Sequence, residues 1–173
     1  ESIGVEGRGR FYDSVGAIRD VLQNHLLQVL ALLAMEPPLG TSAEAIRDEQ
    51  AKLIKAIRPL APGDIVRGQY EGYGREEGVA RGSDTETFTA VRFFVDSWRW
   101  AGVPFIVRTG KKLPVTMTEI RAEFQLPPQR VFALSEAGPL STNYLRMRLS
   151  PTVSIALGAR TKNAGERMVG RPV

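Results

Sequence analysis

The sequence predicts an α+β fold in which two N-terminal helices pack on one face of a mainly antiparallel sheet. Two observations support this prediction. Segments with apolar residues three and four positions apart, the spacing of an amphipathic helix, come first, within residues 11–57. Short β-branched and aromatic segments then follow one another from residue 64 to 159 without helical patterns between them. Strands in series favour an antiparallel sheet with the helices to one side.

The longest helical pattern runs from Phe11 to Met35. Asp13 or Ser14 can cap its first turn, because an N-cap side chain accepts hydrogen bonds from free backbone N–H groups. From Leu26 onward nearly every residue is apolar, which predicts burial on all sides, and Pro37 ends the helix. The apolar run is shorter than the about 20 residues that a membrane span needs. The residues at helical spacing are Val15, Ile18, Leu22, Leu26, Val29, Leu30 and Leu33.

A second helix is predicted over residues 42–57, with Ser42 as its N-cap. Most of its other positions are charged, which indicates a surface helix with one buried stripe. The prolines that follow, beginning with Pro59, end it. The apolar stripe consists of Ile46, Leu53, Ile54 and Ile57.

Six strands are predicted after the helices. The segment 118–126 alternates most clearly, with Ile120, Ala122, Phe124 and Leu126 expected to face inward and the charged or polar residues between them outward. From Ala159 the chain is polar and contains glycine, as at the start of a further element. The predicted strands are 64–70, 87–95, 103–109, 118–126, 143–149 and 152–159.

Composition excludes several classes of protein. The chain has 173 residues, no cysteine and one histidine, so neither a disulfide framework nor a thiolate metal site is expected. The carboxylates show no calcium-loop spacing, and no metal site is predicted. No signal peptide is visible, and the chain begins at Glu1 rather than methionine, which indicates a piece of a longer protein.

The charge pattern argues against nucleic-acid binding. The net charge is +4, but the 23 basic residues are scattered among 19 acids with no basic run longer than Lys111-Lys112. This balance suits an anionic small substrate equally well. No G-x-G-x-x-G turn follows a predicted strand, so no dinucleotide-binding site is predicted within the chain.

His25 is the only histidine, and histidine is the residue type suited to proton transfer near neutral pH. On an α-helix, Asp20 and Asn24 share a face, whereas Asp20 and His25 lie about 140° apart and cannot form a direct pair. Both could still line one pocket that wraps the helix. The residues alone favour a plainer interpretation, a histidine at the boundary of core and solvent that is satisfied by a carbonyl.

Five segments in order resemble the glucose-6-phosphate dehydrogenase family, specifically its C-terminal substrate and dimerisation domain in bacterial members. Together they cover most of residues 1–150: GRGRFYDSVGAIRDVLQNHLLQVLALLAMEPP, IRDEQAKLIKAI, GQYEGY, DTETFTAVRFFVDSWRWAGVPFIVRTGKKL and TEIRAEF. The resemblance implies that residues 1–173 form a single, incomplete domain. It also implies that a Rossmann nucleotide-binding domain lies upstream of residue 1.

The family oxidises β-D-glucose 6-phosphate at C1 to 6-phosphoglucono-δ-lactone, the first step of the pentose phosphate pathway, with hydride transfer to NADP⁺. The resemblance makes His25 the catalytic base, Asp20 and Glu1 ligands of sugar hydroxyls, and Lys111 a basic substrate ligand. It places NADP⁺ mainly on the missing domain, with no cofactor-binding residue here. It further implies a cytoplasmic enzyme that forms a homodimer or homotetramer through the sheet, and a fragment that is inactive alone.

Each of these residues has an ordinary alternative role. Asp20 suits a surface helix, Glu1 a frayed chain end, Lys111 a turn, and Lys112 beside it is expected to be an ordinary turn lysine. Two alternative functions also remain open. One is a non-catalytic dimerisation or assembly domain of the same fold, and the other is a related sugar-phosphate dehydrogenase.

The sequence departs from the family pattern at two positions. Thr116 stands where many members have a second basic residue, so attraction for phosphate from this side should be weaker or supplied differently. Met117 replaces a lysine of the second, structural NADP⁺ site that animal members hold, and that second nucleotide is not predicted. The preference for NADP⁺ over NAD⁺ cannot be read from these residues.

Overall fold

The computed structural model describes residues 2–126, 128–129, 142–162 and 170–172. It divides into two compact units, Glu1–Pro114 and Val115–Val173. Helices pack on an antiparallel sheet in the first unit, and the second contains antiparallel strands, so the predicted α+β class is confirmed. Within the described residues, the strands form two three-stranded sheets and a two-stranded pair rather than the one sheet expected.

The predicted helix over 11–35 is instead three consecutive segments. They are α1 (Gly9–Ala17), a π-helical stretch that we call the π segment (Ile18–Leu26), and α2 (Leu27–Ala34). The backbone leaves helical geometry at Gly16, with φ 66° and ψ 179°, which separates α1 from the π segment. The prediction of one continuous α-helix is therefore wrong in its middle.

Burial around α2 is also one-sided. Leu30 and Ala31 are buried, whereas the side chain of Leu32 is 54 % exposed and that of Leu33 is 39 % exposed. The prediction of burial on all sides is wrong, because within the first unit only one side of α2 meets the sheet and the next helix.

The second helix, α3 (Ala43–Lys55), is close to its prediction. The Ser42 Oγ accepts a hydrogen bond from the Ala45 N–H at 3.1 Å, as expected of the N-cap. Leu53 is buried against Ala31 and Ala34 of α2 and against Val95. The helix therefore packs through a single stripe, with its charged residues towards solvent.

The sheet of the first unit consists of β1 (Ile65–Gly68), β2 (Phe88–Phe93) and β3 (Phe105–Gly110), antiparallel with β2 in the centre. Short 3₁₀ turns precede and follow β1, at Pro62–Asp64 and Tyr73–Arg75. Val91 and Phe93 of β2 pack with Leu22 of the π segment and Leu30 of α2. This shared core fixes the π segment against the sheet.

The second unit contains β4 (Thr118–Glu123), β5 (Tyr144–Ser150) and β6 (Ser154–Gly158), paired in that order, and the pair β7 (Arg160–Lys162) and β8 (Gly170–Pro172). Register puts apolar residues of all three longer strands on one face, and Ile155 and Leu157 there are 74 % and 64 % exposed. The described residues of this unit include no helix to cover that face.

The inward orientation predicted along 118–126 is met only by Ile120, which is half-buried. Ala122, Phe124 and Leu126 are exposed, and the strand ends at Glu123, so this part of the prediction is wrong. Alternation correctly separates the two faces of a strand, but an apolar face is buried only where another element covers it.

Candidate functional site

A buried acid from another part of the chain, Glu86, is hydrogen-bonded to the start of the π segment. Glu86 is 8 % exposed, its Oε1 accepts from the Ile18 N–H at 2.9 Å, and its backbone carbonyl accepts from the Ala17 N–H at 3.0 Å. The first N–H groups of a helix have no partner within the helix. Glu86 supplies partners for two of them at the point where Gly16 interrupts α1.

The π segment places Asp20 and His25 differently from an α-helix. Its hydrogen bonds join residues five apart, as where the Leu27 N–H donates to the Leu22 carbonyl. Residues i and i+5 of such a helix lie about one turn apart, as i and i+4 do in an α-helix, and so share a side. The separation of about 140° predicted for Asp20 and His25 assumes α-helical pitch and therefore does not apply to this π-helical segment.

Asp20 and His25 are accessible to solvent, whereas Leu22 between them packs in the core and fixes the segment. Leu22 is 4 % exposed and packs on the sheet, whereas Asp20 is half-buried and His25 is exposed. The imidazole of His25 therefore lies outside the hydrocarbon core. A substrate can reach it from solvent, as a base acting on a substrate requires.

Lys111 follows the last residue of β3 and belongs to the same unit. Its backbone N–H donates to the Thr87 carbonyl at 2.8 Å, and its ammonium lies 5.5 Å from the centre of the Tyr12 ring of α1. Phe105 and Val107 of β3 pack into the core that holds the π segment. One continuous core thus joins Lys111 to the segment that carries Asp20 and His25.

Lys112 is more than an ordinary turn lysine, contrary to the prediction. Its backbone N–H donates to the Ile3 carbonyl at 2.9 Å. Its ammonium lies 4.4 Å from the centre of the Tyr70 ring and 3.5 Å from the Glu76 Oε1. Lys112 therefore anchors the N-terminal loop, residues 2–8, beside Lys111. Glu1 lies outside the described residues, and its role stays a prediction.

Tyr70 also holds the N-terminal loop. Its hydroxyl donates to the Glu76 Oε1 at 2.9 Å and accepts from the Val5 N–H at 3.4 Å. Burial, followed by the hydrogen bond to Glu76, raises the pKa of Tyr70 to about 12. The phenol therefore stays protonated, and keeps its donor, across the physiological range.

Asp13 does not cap α1, contrary to the prediction, and Ser14 donates its hydroxyl to the Phe11 carbonyl at 2.6 Å. The Asp13 carboxylate instead accepts from the Tyr73 hydroxyl at 2.9 Å, the Ser83 hydroxyl at 2.5 Å and the Ala80 N–H at 3.1 Å. It ties residues 73–85 to α1, and so brings Glu86, next along the chain, to the π segment.

These hydrogen bonds set the pKa values of the group. Burial raises the pKa of Asp13, but the hydrogen bonds from Ser83, Ala80 and Tyr73 outweigh it and leave the pKa below its ordinary value. Burial, followed by the hydrogen bond to Asp13, raises the pKa of Tyr73. Asp13 is therefore a charged acceptor at neutral pH, which strengthens each of its hydrogen bonds.

A cavity of about 240 Å³ lies at the start of the π segment. Arg19, Arg67, Asp84 and Glu86 are among its lining residues, whereas Asp20, His25 and Lys111 do not line it. The pocket that Asp20 and His25 could line is therefore not this cavity.

The described ranges offer neither a metal centre nor a membrane span. Within them, no three His, Cys, Asp or Glu side chains come together in a way that could hold a metal ion. None of the helices in these ranges combines the length and the apolar character needed to cross a bilayer.

Three comparisons connect this geometry with known proteins. The model of the family described as "Glucose-6-phosphate dehydrogenase, C-terminal domain" matches residues 1–173. "Glucose-6-phosphate 1-dehydrogenase 1" of Mycobacterium tuberculosis is 50 % identical over 157 residues, which are 91 % of this chain and 34 % of that protein. The Bacillus subtilis glucose-6-phosphate 1-dehydrogenase is 39 % identical and covers 100 % of this chain and 38 % of its own length.

Solved structures agree in fold. A crystal structure of glucose-6-phosphate 1-dehydrogenase from Mycobacterium avium has a TM-score of 0.90 and 44 % identity, covering 100 % of this chain and 38 % of that one. A glucose-6-phosphate dehydrogenase in complex with its substrate glucose-6-phosphate has a TM-score of 0.89 and 39 % identity, covering 100 % of this chain and 36 % of that one. The chain spans little more than a third of the length of the proteins that it matches.

Proposed function

The chain belongs to the glucose-6-phosphate dehydrogenase C-terminal domain family, and from this membership we propose that it is the substrate-binding and catalytic-base part of such an enzyme. The complete enzyme would oxidise β-D-glucose 6-phosphate at C1 to 6-phosphoglucono-δ-lactone. The single observation that supports this most is the π-helical geometry of residues 18–26, whose five-residue hydrogen-bond spacing favours a common side for Asp20 and the solvent-exposed His25.

Each role is carried over from the family and suits the chemistry of the side chain. His25 takes the proton of the C1 hydroxyl as the C1–H bond breaks and C1 becomes a carbonyl carbon. Asp20, a carboxylate with no donor of its own, accepts hydrogen bonds from sugar hydroxyls. Lys111 donates from its ammonium to a hydroxyl or phosphate oxygen. Glu1, outside the described residues, is proposed as a second acceptor for the sugar.

NADP⁺ is proposed as the acceptor of the hydride that leaves C1. The described residues provide no strand, glycine-rich turn and helix of the kind that holds a dinucleotide. We therefore assign the cofactor to a Rossmann domain in the remainder of a longer chain, of which residues 1–173 are the incomplete C-terminal domain. The cytoplasmic location and the inactivity of the isolated chain remain predictions of the same assignment.

The assembly of the complete enzyme is proposed to use the sheet of the second unit. Its exposed apolar face, with Ile155 and Leu157, is the kind of surface that subunits bury against one another. A homodimer or homotetramer is expected. Light scattering on the full-length protein checks this, and a monomer at micromolar concentration would contradict it.

Replacement of the base in the full-length protein tests the proposed function. His25→Asn is expected to lower kcat with glucose 6-phosphate by about 10²- to 10⁴-fold, the usual contribution of general-base catalysis, with oligomers intact. Lys52→Ala, on the exposed side of α3, is the control and should leave kcat unchanged. Unchanged turnover by His25→Asn would instead favour an assembly domain without catalysis.

Comparison of substrates tests the identity of the sugar. Turnover of glucose 6-phosphate should exceed that of free glucose and of galactose 6-phosphate. A preference for galactose 6-phosphate would favour the related sugar-phosphate dehydrogenase, for which the threonine at position 116 leaves room.

A further inference from the structure

We infer that Glu86 is a positioning residue, whose carboxylate fixes the start of the π segment and so sets the relation of Asp20 to His25. This inference rests on the proposed function, because it concerns how the base and the sugar ligand are held. Glu86 is not itself proposed to touch the substrate.

Glu86 holds the start of the π segment through both its side chain and its backbone. Its side chain accepts from the Ile18 N–H and its carbonyl from the Ala17 N–H, at 2.9 and 3.0 Å. The two N–H groups are consecutive and stand at the point where α1 gives way to the π segment. A π-helix is rare, and such turns are frequent at functional sites. Without its anchor, the segment is expected to relax towards the common i→i+4 pattern.

The Glu86 carboxylate fits closely against Gly16. A Cβ built on Gly16 would lie 2.5 Å from the Glu86 Oε1 and 2.8 Å from its carboxyl carbon. The backbone at Gly16 has φ 66° and ψ 179°, a region that is essentially open to glycine alone. Because Gly16 has no side chain, the Glu86 carboxylate can reach the Ile18 N–H. The geometry of this junction therefore depends on Gly16 and Glu86 together.

Glu86 is itself held in place through the adjacent residue, Thr87. Its neighbour Thr87 is fully buried and donates its N–H to the Gly68 carbonyl at 2.9 Å. The Thr87 Oγ1 accepts from the Tyr70 N–H at 2.8 Å, and the Thr87 carbonyl accepts from the Lys111 N–H at 2.8 Å. Glu86 and Thr87 are thus a rigid dipeptide that contacts the π segment on one side and Lys111 on the other.

A consequence follows for the proposed site. The distance from Lys111 to the π segment is set through these two adjacent residues, and the pitch of that segment is set by the Glu86 carboxylate. Loss of the carboxylate would move Asp20 and His25 relative to each other and to Lys111. A displacement of about 1 Å in a catalytic group can cost on the order of 10²-fold in rate.

Three variants of the full-length protein separate this role from plain stabilisation. Glu86→Ala removes the acceptor, and Glu86→Gln keeps an amide oxygen that can accept from the Ile18 N–H. Asp64→Ala is the matched control, because Asp64 also accepts from a backbone N–H, that of Ala61 at 3.1 Å, but at the turn before β1. If Glu86→Ala does not fold, Glu86→Asp, with a carboxylate one methylene shorter, replaces it.

The steady-state readout is the kcat and KM for glucose 6-phosphate. Glu86→Ala, or Glu86→Asp in its place, is expected to lower kcat by about 10- to 100-fold and to raise KM severalfold. Glu86→Gln should recover kcat to within about threefold, since a neutral amide oxygen also accepts a hydrogen bond. Asp64→Ala should lower the Tm while leaving kcat unchanged. A lowered Tm with unchanged kcat and KM for Glu86→Ala would overturn the inference, as would a folded Glu86→Gln as impaired as Glu86→Ala.

A second readout does not depend on activity. Amide hydrogen exchange, followed by mass spectrometry, should rise in peptides covering residues 17–27 for Glu86→Ala, but remain unchanged there for Asp64→Ala. If His25→Asn keeps full turnover, the proposed function fails, yet exchange still tests whether Glu86 anchors the segment. Unchanged exchange over 17–27 in Glu86→Ala would overturn the inference even where the enzyme assignment holds.

Discussion

Gly16→Ala is the substitution for which the structure gives the most specific expectation. A non-glycine residue held at φ 66° and ψ 179° is strained by about 1–3 kcal/mol. The new Cβ would also lie 2.5 Å from the Glu86 Oε1, so the carboxylate must move away. Movement of the carboxylate leaves the Ile18 N–H unsatisfied, which costs about 1–3 kcal/mol more. The expected loss in the free energy of unfolding is therefore about 2–6 kcal/mol.

Urea denaturation of the chain, followed by tryptophan fluorescence, measures this loss. Trp100 is a suitable reporter, because its indole N–H donates to the Ala34 carbonyl at the end of α2 at 2.8 Å. Gly40→Ala is the matched control, since no atom lies within 4 Å of a Cβ at Gly40. A free energy of unfolding for Gly16→Ala within about 0.5 kcal/mol of that for Gly40→Ala would refute the reasoning, because surface changes without such strain usually fall in this range.

Three further predictions concern charged and titrating groups. The folded pKa of Asp13 lies below its unfolded value, so its stabilising contribution is present at neutral pH and is lost as pH falls through the folded pKa. In Asp13→Asn, which lacks this carboxylate, acid unfolding should therefore begin at a higher pH than in the wild-type protein. An unchanged pH of acid unfolding would contradict this. The pKa of Tyr70 is raised to about 12. Its contribution to the stability of the fold is therefore fully present below the pKa of the unfolded state and is lost as the pH rises towards 12. Phenolate absorbance should show one late-titrating tyrosine fewer in Tyr70→Phe, and equal titration curves would refute it. Lys111→Met in the full-length protein should raise the KM for glucose 6-phosphate by about 10- to 100-fold, the value of a charged hydrogen bond, whereas Lys55→Met on α3 should not; equal KM values would argue against Lys111 as a ligand.

Elements whose determinants are close in sequence were predictable. Ser42 caps α3 through Ala45, three residues on, and the predicted strands of the first unit match the observed ones to within a few residues. Both depend on local capping, pattern and propensity. The α+β class follows from the order of these elements.

The π segment was not predictable from local pattern, because its anchor lies far along the chain. Glu86 reaches Ile18 across 68 residues, and Asp13 reaches Tyr73 across 60. Tertiary hydrogen bonds of this kind override the helical pattern. Two signals were nevertheless present in the sequence: Gly16 interrupts the helical run, and Glu86 is an acid close to the start of a predicted strand.

The candidate site was likewise predictable only in part. Side-chain chemistry singled out His25, and the family resemblance added Asp20, Lys111 and Glu1. Neither indicated that Asp20 and His25 share a side, because that depends on the pitch of the π segment. Lys112 was dismissed as a turn residue, since its partners Tyr70 and Glu76 belong to a distant loop.

The turnover number of His25→Asn, in the full-length protein and with glucose 6-phosphate deuterated at C1, tests the central claim most directly. If the imidazole removes the proton of the C1 hydroxyl, the kcat of His25→Asn should be lower than that of the wild-type protein by at least about 10²-fold. Hydride transfer from C1 should then become rate-limiting and show a full deuterium isotope effect. A variant that keeps the wild-type turnover number and isotope effect would show that the proton leaves by another route, and that His25 is not the base.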